Sequence, residues 1–135
     1  MSSRFRAALL LAVAGALSLS CGGIIDPSQN QMETFSGTLA VGGSNPHSFS
    51  VSKTGEISVK ITALAPVAQT LMGVLWAQAA NDGTCNGNIL QNNNFAQLNV
   101  PAISAQIISG KYCIVMYDAG YFTAAETYTV VVSHP

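Results

Sequence analysis

The sharpest alternation of apolar and polar positions is Glu56-Ile-Ser-Val-Lys-Ile-Thr62, where Ile57, Val59 and Ile61 fall on one face and Ser58, Lys60 and Thr62 on the other. A period of two is that of a strand with one buried face and one wet face. The same pattern recurs between turn residues. Residues 34–40 end at Gly42-Gly43, 47–52 at Lys53-Thr-Gly55, 102–108 before Gly110, and 111–117 at Asp118-Ala-Gly120. Residues 126–133 place Tyr128, Val130 and Val132 together. Residues 71–77 are apolar on both sides. A helix over 67–80 is the alternative, but Gly73 within the run and the Asn81-Asp82-Gly83 turn after it favour a central strand covered on both faces. Residues 87–99 are polar and Asn-rich, anchored by Ile89, Leu90, Phe95 and Leu98, and read as a short strand with a loop. About eight short strands and no internal repeat predict one all-β sandwich over 34–135.

The first twenty residues follow another rule. A basic head with Arg4 and Arg6 precedes an uncharged run of 14 residues, 7–20, rich in Ala and Leu and ending in small residues. That is the three-part secretory pattern, and the run falls short of the roughly 20 apolar residues of a membrane-spanning helix. Leu17-Ser-Leu-Ser-Cys21-Gly-Gly resembles the lipobox of bacterial lipoproteins, with Ser18 where Leu is usual and Leu19 where a small residue is commoner. Ordinary cleavage after Ala16 or Ser20 is the competing reading. Cysteine counting favours the lipobox: with Cys21 lipidated, Cys85 and Cys113 are left to pair across 27 intervening residues, whereas an unlipidated Cys21 leaves an odd thiol in an oxidising compartment. Two or more acyl chains suffice for stable membrane attachment. Residues 1–20 are thus expected to be a signal peptide and 21–33, with Pro27 and small polar residues, a lipid-anchored tether.

Without residues 1–20 the charge becomes more negative. Lys53, Lys60 and Lys111 stand against six carboxylates, a formal charge of −3, and three scattered lysines offer nucleic acid no basic face. Ser, Thr, Asn, Gln and Gly must coat the surface. The remaining length suits one domain with a modest core.

Candidate chemistry is sparse. His47 and His134 are the two side chains whose ordinary pKa suits a neutral-pH base. His134 precedes Pro135, a poor place for a group that must be held rigidly, and His47 starts a strand after Pro46; Ser48 alternates to the face opposite His47, so no Ser-His-acid relay follows. Glu33, Glu56 and Glu126 read as solvated turn or strand residues. Asp82 and Asp118 read as turn residues capping backbone donors, too few clustered oxygens for a calcium site. No catalytic set, metal site or cofactor is expected. The loop pair Tyr121-Phe122 has two readings: it folds back on the sandwich, or with Asp118 and Asp82 it forms a glycan- or protein-binding surface.

Three stretches resemble the pre-peptidase C-terminal type of bacterial domain. They are His47-Ser-Phe-Ser-Val-Ser-Lys-Thr-Gly-Glu-Ile-Ser-Val-Lys-Ile-Thr62, Gly110-Lys-Tyr-Cys-Ile-Val-Met-Tyr117 and Thr127-Tyr-Thr-Val-Val-Val132. The chain also resembles small bacterial secreted lipoproteins built on the same plan. The resemblance spans about residues 34–133 and implies a jelly-roll-like sandwich of antiparallel strands, often appended to secreted proteases. The chain departs from it at Met72-Gly73-Val74, where the family usually carries Asp-x-Asp, so no acidic cation site transfers. The function expected is a non-enzymatic binding or structural module of the cell envelope, meeting a glycan or an envelope protein. The alternatives are a carbohydrate-binding module and an accessory or inhibitory partner of a secreted protease acting in trans.

Overall fold

The computed structural model describes residues 26–135. A short 3-10 turn, Pro27–Gln29, is capped by the Asp26 carboxylate, which accepts from Ser28 N. Eight strands follow: β1 (Gln31–Leu39), β2 (Ser44–Val51), β3 (Gly55–Ala65), β4 (Met72–Gln78), β5 (Ile89–Ala96), β6 (Pro101–Ile107), β7 (Gly110–Tyr117) and β8 (Glu126–His134). They form two four-stranded sheets, in the orders β1-β8-β3-β6 and β2-β7-β4-β5, with every neighbouring pair antiparallel. Successive strands alternate between sheets along the first four, and the order is that of a jelly roll. The expected all-β, jelly-roll-like sandwich is what the chain forms.

Alternation explains the core. Ile57, Val59 and Ile61 of β3, Tyr128, Val130 and Val132 of β8, Met72, Val74 and Trp76 of β4, and Tyr112, Ile114 and Met116 of β7 all face inward and are buried. Residues 72–78 are a strand, as Gly73 and the following turn implied, and lie between β5 and β7. The Trp76 indole N–H is buried with no acceptor among the described residues, and nothing in the fold explains it.

Several positions differ from the sequence reading. β1 begins at Gln31 rather than Thr34, and Asn30 is already fixed, its amide donating to Glu56 O and Ser133 Oγ; residues 30–33 of the expected tether belong to the domain. The signal peptide and Cys21 lie outside the described residues. β5 is a full strand of eight residues. Glu126 is not solvated but 2% exposed, accepting from Val67 N at 3.1 Å, because it occupies the inward phase of β8 two residues before Tyr128. His134 is fully buried at the other end of that phase; its Nε2 lies 2.8 Å from Glu33 Oε1 and its ring packs on Phe49. It is held firmly, contrary to what its neighbour Pro135 suggested.

Candidate functional site

Register places the two Asp turns at opposite ends. β4 and β7 pair from Gly73↔Tyr117 to Gln78↔Tyr112, so the loop after Gln78, with Asp82, and the loop after Tyr117, with Asp118, are separated by roughly 17 Å of strand at about 3.4 Å per residue. Asp82 serves its own turn, accepting from Thr84 N at 2.9 Å and Thr84 Oγ1 at 2.7 Å, and these bonds hold its pKa below the usual value. Beyond that turn Cys85 bonds to Cys113 of β7, the expected disulfide. It lies on the outer face of the β2-β7-β4-β5 sheet, where Pro46, Ser48, Thr84, Asn86 and Val115 line a shallow groove of about 530 Å3.

Asp118 reaches further. Its Oδ1 accepts from the backbone N–H of Gly120, Tyr121 and Phe122 at 2.8, 2.9 and 3.2 Å, and its Oδ2 accepts from Gly42 N, at 2.8 Å, in the loop between β1 and β2. Slight desolvation works to raise its pKa, but the four donors outweigh it and hold the carboxyl below its ordinary value. Asp118 N in turn donates to Gly43 O. The carboxylate is a joint between two loops, and its oxygens face protein donors rather than a ligand. Gly120, at φ +98, takes the left-handed turn that follows.

That turn separates the aromatic pair. Phe122 is 7% exposed and joins the core, which removes it from any ligand surface; Tyr121 is 40% exposed. The partner of Tyr121 is Phe95 of β5, with ring centroids 6.0 Å apart and planes tilted by 55°. Sequence reasoning took Phe95 as an anchor of an uncertain loop, yet it is 61% exposed. Its position comes from a β-bulge: Met72 pairs with Ala96 and Val74 with Asn93, so Asn94 and Phe95 together face the single residue Gly73. Bulges re-aim side chains in this way. Phe95 N, freed from the ladder, donates to Asn93 Oδ1 at 2.8 Å. Gly73 has a second duty. A Cβ there would strike the Tyr117 ring, so the glycine lets Tyr117 lie across β4 and donate its hydroxyl to Asn94 Oδ1. The glycine inside an apolar strand and the Asn run after it were the sequence signals for this arrangement.

The two histidines sit elsewhere. His47 lies within β2, not at its start, and Pro46 is tolerated beside it because β2 is an edge strand. His47 Nε2 is 2.6 Å from the Tyr128 hydroxyl, and its ring stacks on Phe35 at 4.8 Å. Burial lowers the His47 pKa; burial raises that of Tyr128, with a hydrogen bond from Asn45 acting the other way. Both groups are therefore neutral at pH 7. Ser48 and Ser50 are exposed on the opposite face, as the alternation required. Among the described residues, no group of three or more His, Cys, Asp or Glu side chains is placed to hold a metal ion.

The class this defines is, by fold, a disulfide-braced jelly-roll β-sandwich. Its fold is similar to the pre-peptidase C-terminal domain of a collagenase from Bacillus anthracis, at 20% identity and a TM-score of 0.52, covering 74% of this chain and 87% of that one. A periplasmic inhibitor of g-type lysozyme from Aeromonas hydrophila also matches, at 13% identity and a TM-score of 0.47, covering 82% of this chain and 91% of that one. No protein-family model and no curated protein matches the sequence.

Proposed function

We propose that this chain is an exported, non-enzymatic binding module, held at the cell envelope through lipid on Cys21, with the sandwich presenting its loops to an envelope ligand. The observation that carries the reading is the employment of both histidines and of Glu33, Glu126, Asp118 and Asp82 in structural contacts. His134 is tied to Glu33, His47 to Tyr128, Glu126 to Val67 N, Asp118 to four backbone donors and Asp82 to Thr84. Each is a bracing contact. Export is supported by the three-part N-terminal pattern and by a disulfide of the kind that persists in oxidising compartments.

The test is the intact mass of the protein from its native membrane, before and after reduction, with hydrolysis assays on peptides and glycosides. Acyl mass on Cys21 and a gain of two hydrogens on reduction are expected, with no turnover. An unmodified Cys21 would sink the anchor. Turnover abolished by His47→Ala would sink the non-enzymatic reading.

A second reading, a carbohydrate-binding module, is favoured by one observation: Tyr121 is exposed beside a second exposed ring, with hydrogen-bonding Asn side chains next to it. Phe122, buried in the core, has no part in it.

A further inference from the structure

We infer that the bulge of β5 and the loop after β7 form a stacking site for a neutral oligosaccharide chain, with Phe95 and Tyr121 as its two ring platforms and Asn94 with Tyr117 as its hydrogen-bonding edge. The inference rests on the binding-module reading and gives it a location and a ligand class. A strand of regular register would set Asn94 and Phe95 on opposite faces. The bulge opposite Gly73 instead gives each an aromatic neighbour: Asn94 meets Tyr117, and Phe95 meets Tyr121.

Three features make this a built surface rather than loose aromatic residues. Phe95 is 61% exposed although its backbone is locked by Asn93, so the ring is held outward on a fixed strand. Tyr121 is held by a backbone donor to Asp118, the same carboxylate that pins the neighbouring loop through Gly42 N. Gly73 provides the space in which Tyr117 lies, and any side chain there would displace the ring. A surface fixed before it meets its ligand loses less conformational freedom on binding.

The chemistry selects the ligand. Sugar rings present C–H faces that pack on the negative face of an aromatic ring, and hydroxyl edges that pair with amides and phenols. Asn94 accepts from Tyr117 through Oδ1, and this contact makes no use of its amide N–H groups. The carboxylate nearest in sequence to the rings, Asp118, faces backbone donors. With no charged side chain among the four residues of the site, a neutral chain fits better than an anionic or cationic one. The two rings pack on each other with a tilt of 55°, so their outer faces are inclined to one another and suit a single flexible chain rather than a flat crystalline surface.

The experiment uses the full chain, exported with its disulfide formed, titrated calorimetrically with chitotetraose, cellotetraose and, as the charged counterpart, tetragalacturonate. Binding of a neutral tetrasaccharide and not of the charged one is expected. Phe95→Ala and Tyr121→Ala should each weaken it about three- to tenfold, the scale of one aromatic contact. Both variants should melt with the native protein because both rings are at the surface. Tyr117→Phe, which keeps the ring and loses the hydroxyl, should weaken binding less. No binding of either neutral tetrasaccharide, or neutral binding unchanged in the Phe95→Ala, Tyr121→Ala double variant, would overturn the inference while leaving a non-enzymatic module with another ligand. Cleavage of the sugars by the native protein would instead overturn the module reading.

Discussion

At one end of the sandwich the loop after β4 turns on Asp82; at the other, the loop after β7 turns on Asp118. Both side chains cap backbone donors two residues on. Asp82 stops there, and its loop is secured by the Cys85–Cys113 bond to β7. Asp118 continues to Gly42 and so joins two loops without any covalent link. One end is braced by chemistry that resists solvent conditions, the other by hydrogen bonds that depend on a charge. The comparison teaches that the same turn grammar yields a local cap or a tertiary joint, depending on which backbone donors the fold brings within reach.

The disulfide end should show the largest effect. Replacing Cys85 and Cys113 with Ala should cost roughly 3 to 4 kcal/mol in the chain-entropy account, read as a lower denaturant midpoint with a steeper slope, because the uncrosslinked chain unfolds to a more expanded state. A loss below about 1 kcal/mol would mean that the loop after β4 is held by its other contacts. Next comes Gly73→Ala, which drives a methyl into the Tyr117 ring; overpacking of this kind costs about 1 to 3 kcal/mol and should release Tyr117 from Asn94, visible as a changed Tyr117 ring environment by NMR.

Asp118→Ala should cost less, about 1 kcal/mol, because water reaches the freed donors. Its effect depends on pH. The folded pKa is depressed, so the stabilisation is present above the ordinary carboxyl value of 3.8 and disappears as pH falls through the lower folded value. Melting curves of native and Asp118→Ala protein should therefore differ at neutral pH and converge in acid. Asp82→Ala should be the mildest of the four, confined to faster amide exchange within its own turn. A melting change from Asp82 as large as that from Asp118 would erase the distinction between cap and joint.

How far these ends could be read from sequence follows the alternation. Where a strand keeps its phase, as in β8 and in β3 as far as Ile61, period two separates core from surface, and extending the β8 phase by one step each way reaches Glu126 and His134. They were misjudged because residue type was weighed above phase: Glu126 reads as solvated and His134, beside a proline, as loosely held until their partners, Val67 N and Glu33, are known, and those partners are distant in sequence. β5 resisted because a bulge breaks the period at the point where Asn replaces apolar residues. Phe122 and Tyr121 are neighbours in one loop, and only the turn fixed by Asp118 decides which ring goes inward. The disulfide was legible by counting, since it needs no geometry to be proposed.

β1 and β8 run antiparallel with Gln31 directly opposite His134, so the chain enters and leaves the sandwich side by side, at the end away from Tyr121. Mechanically this is a zipper held at its open end. Tension applied between Gln31 and His134 falls on one rung of the ladder at a time, starting with that pair, and peels β1 from its edge position instead of shearing all its bonds together. Optical-tweezer traces pulled from these two residues should give a low rupture force, well below that found when Gln31 and Glu126 are the handles and the same rungs are loaded in parallel. Hung from a single attachment the domain feels no such load, whereas spliced in line between two pulled segments it would open first.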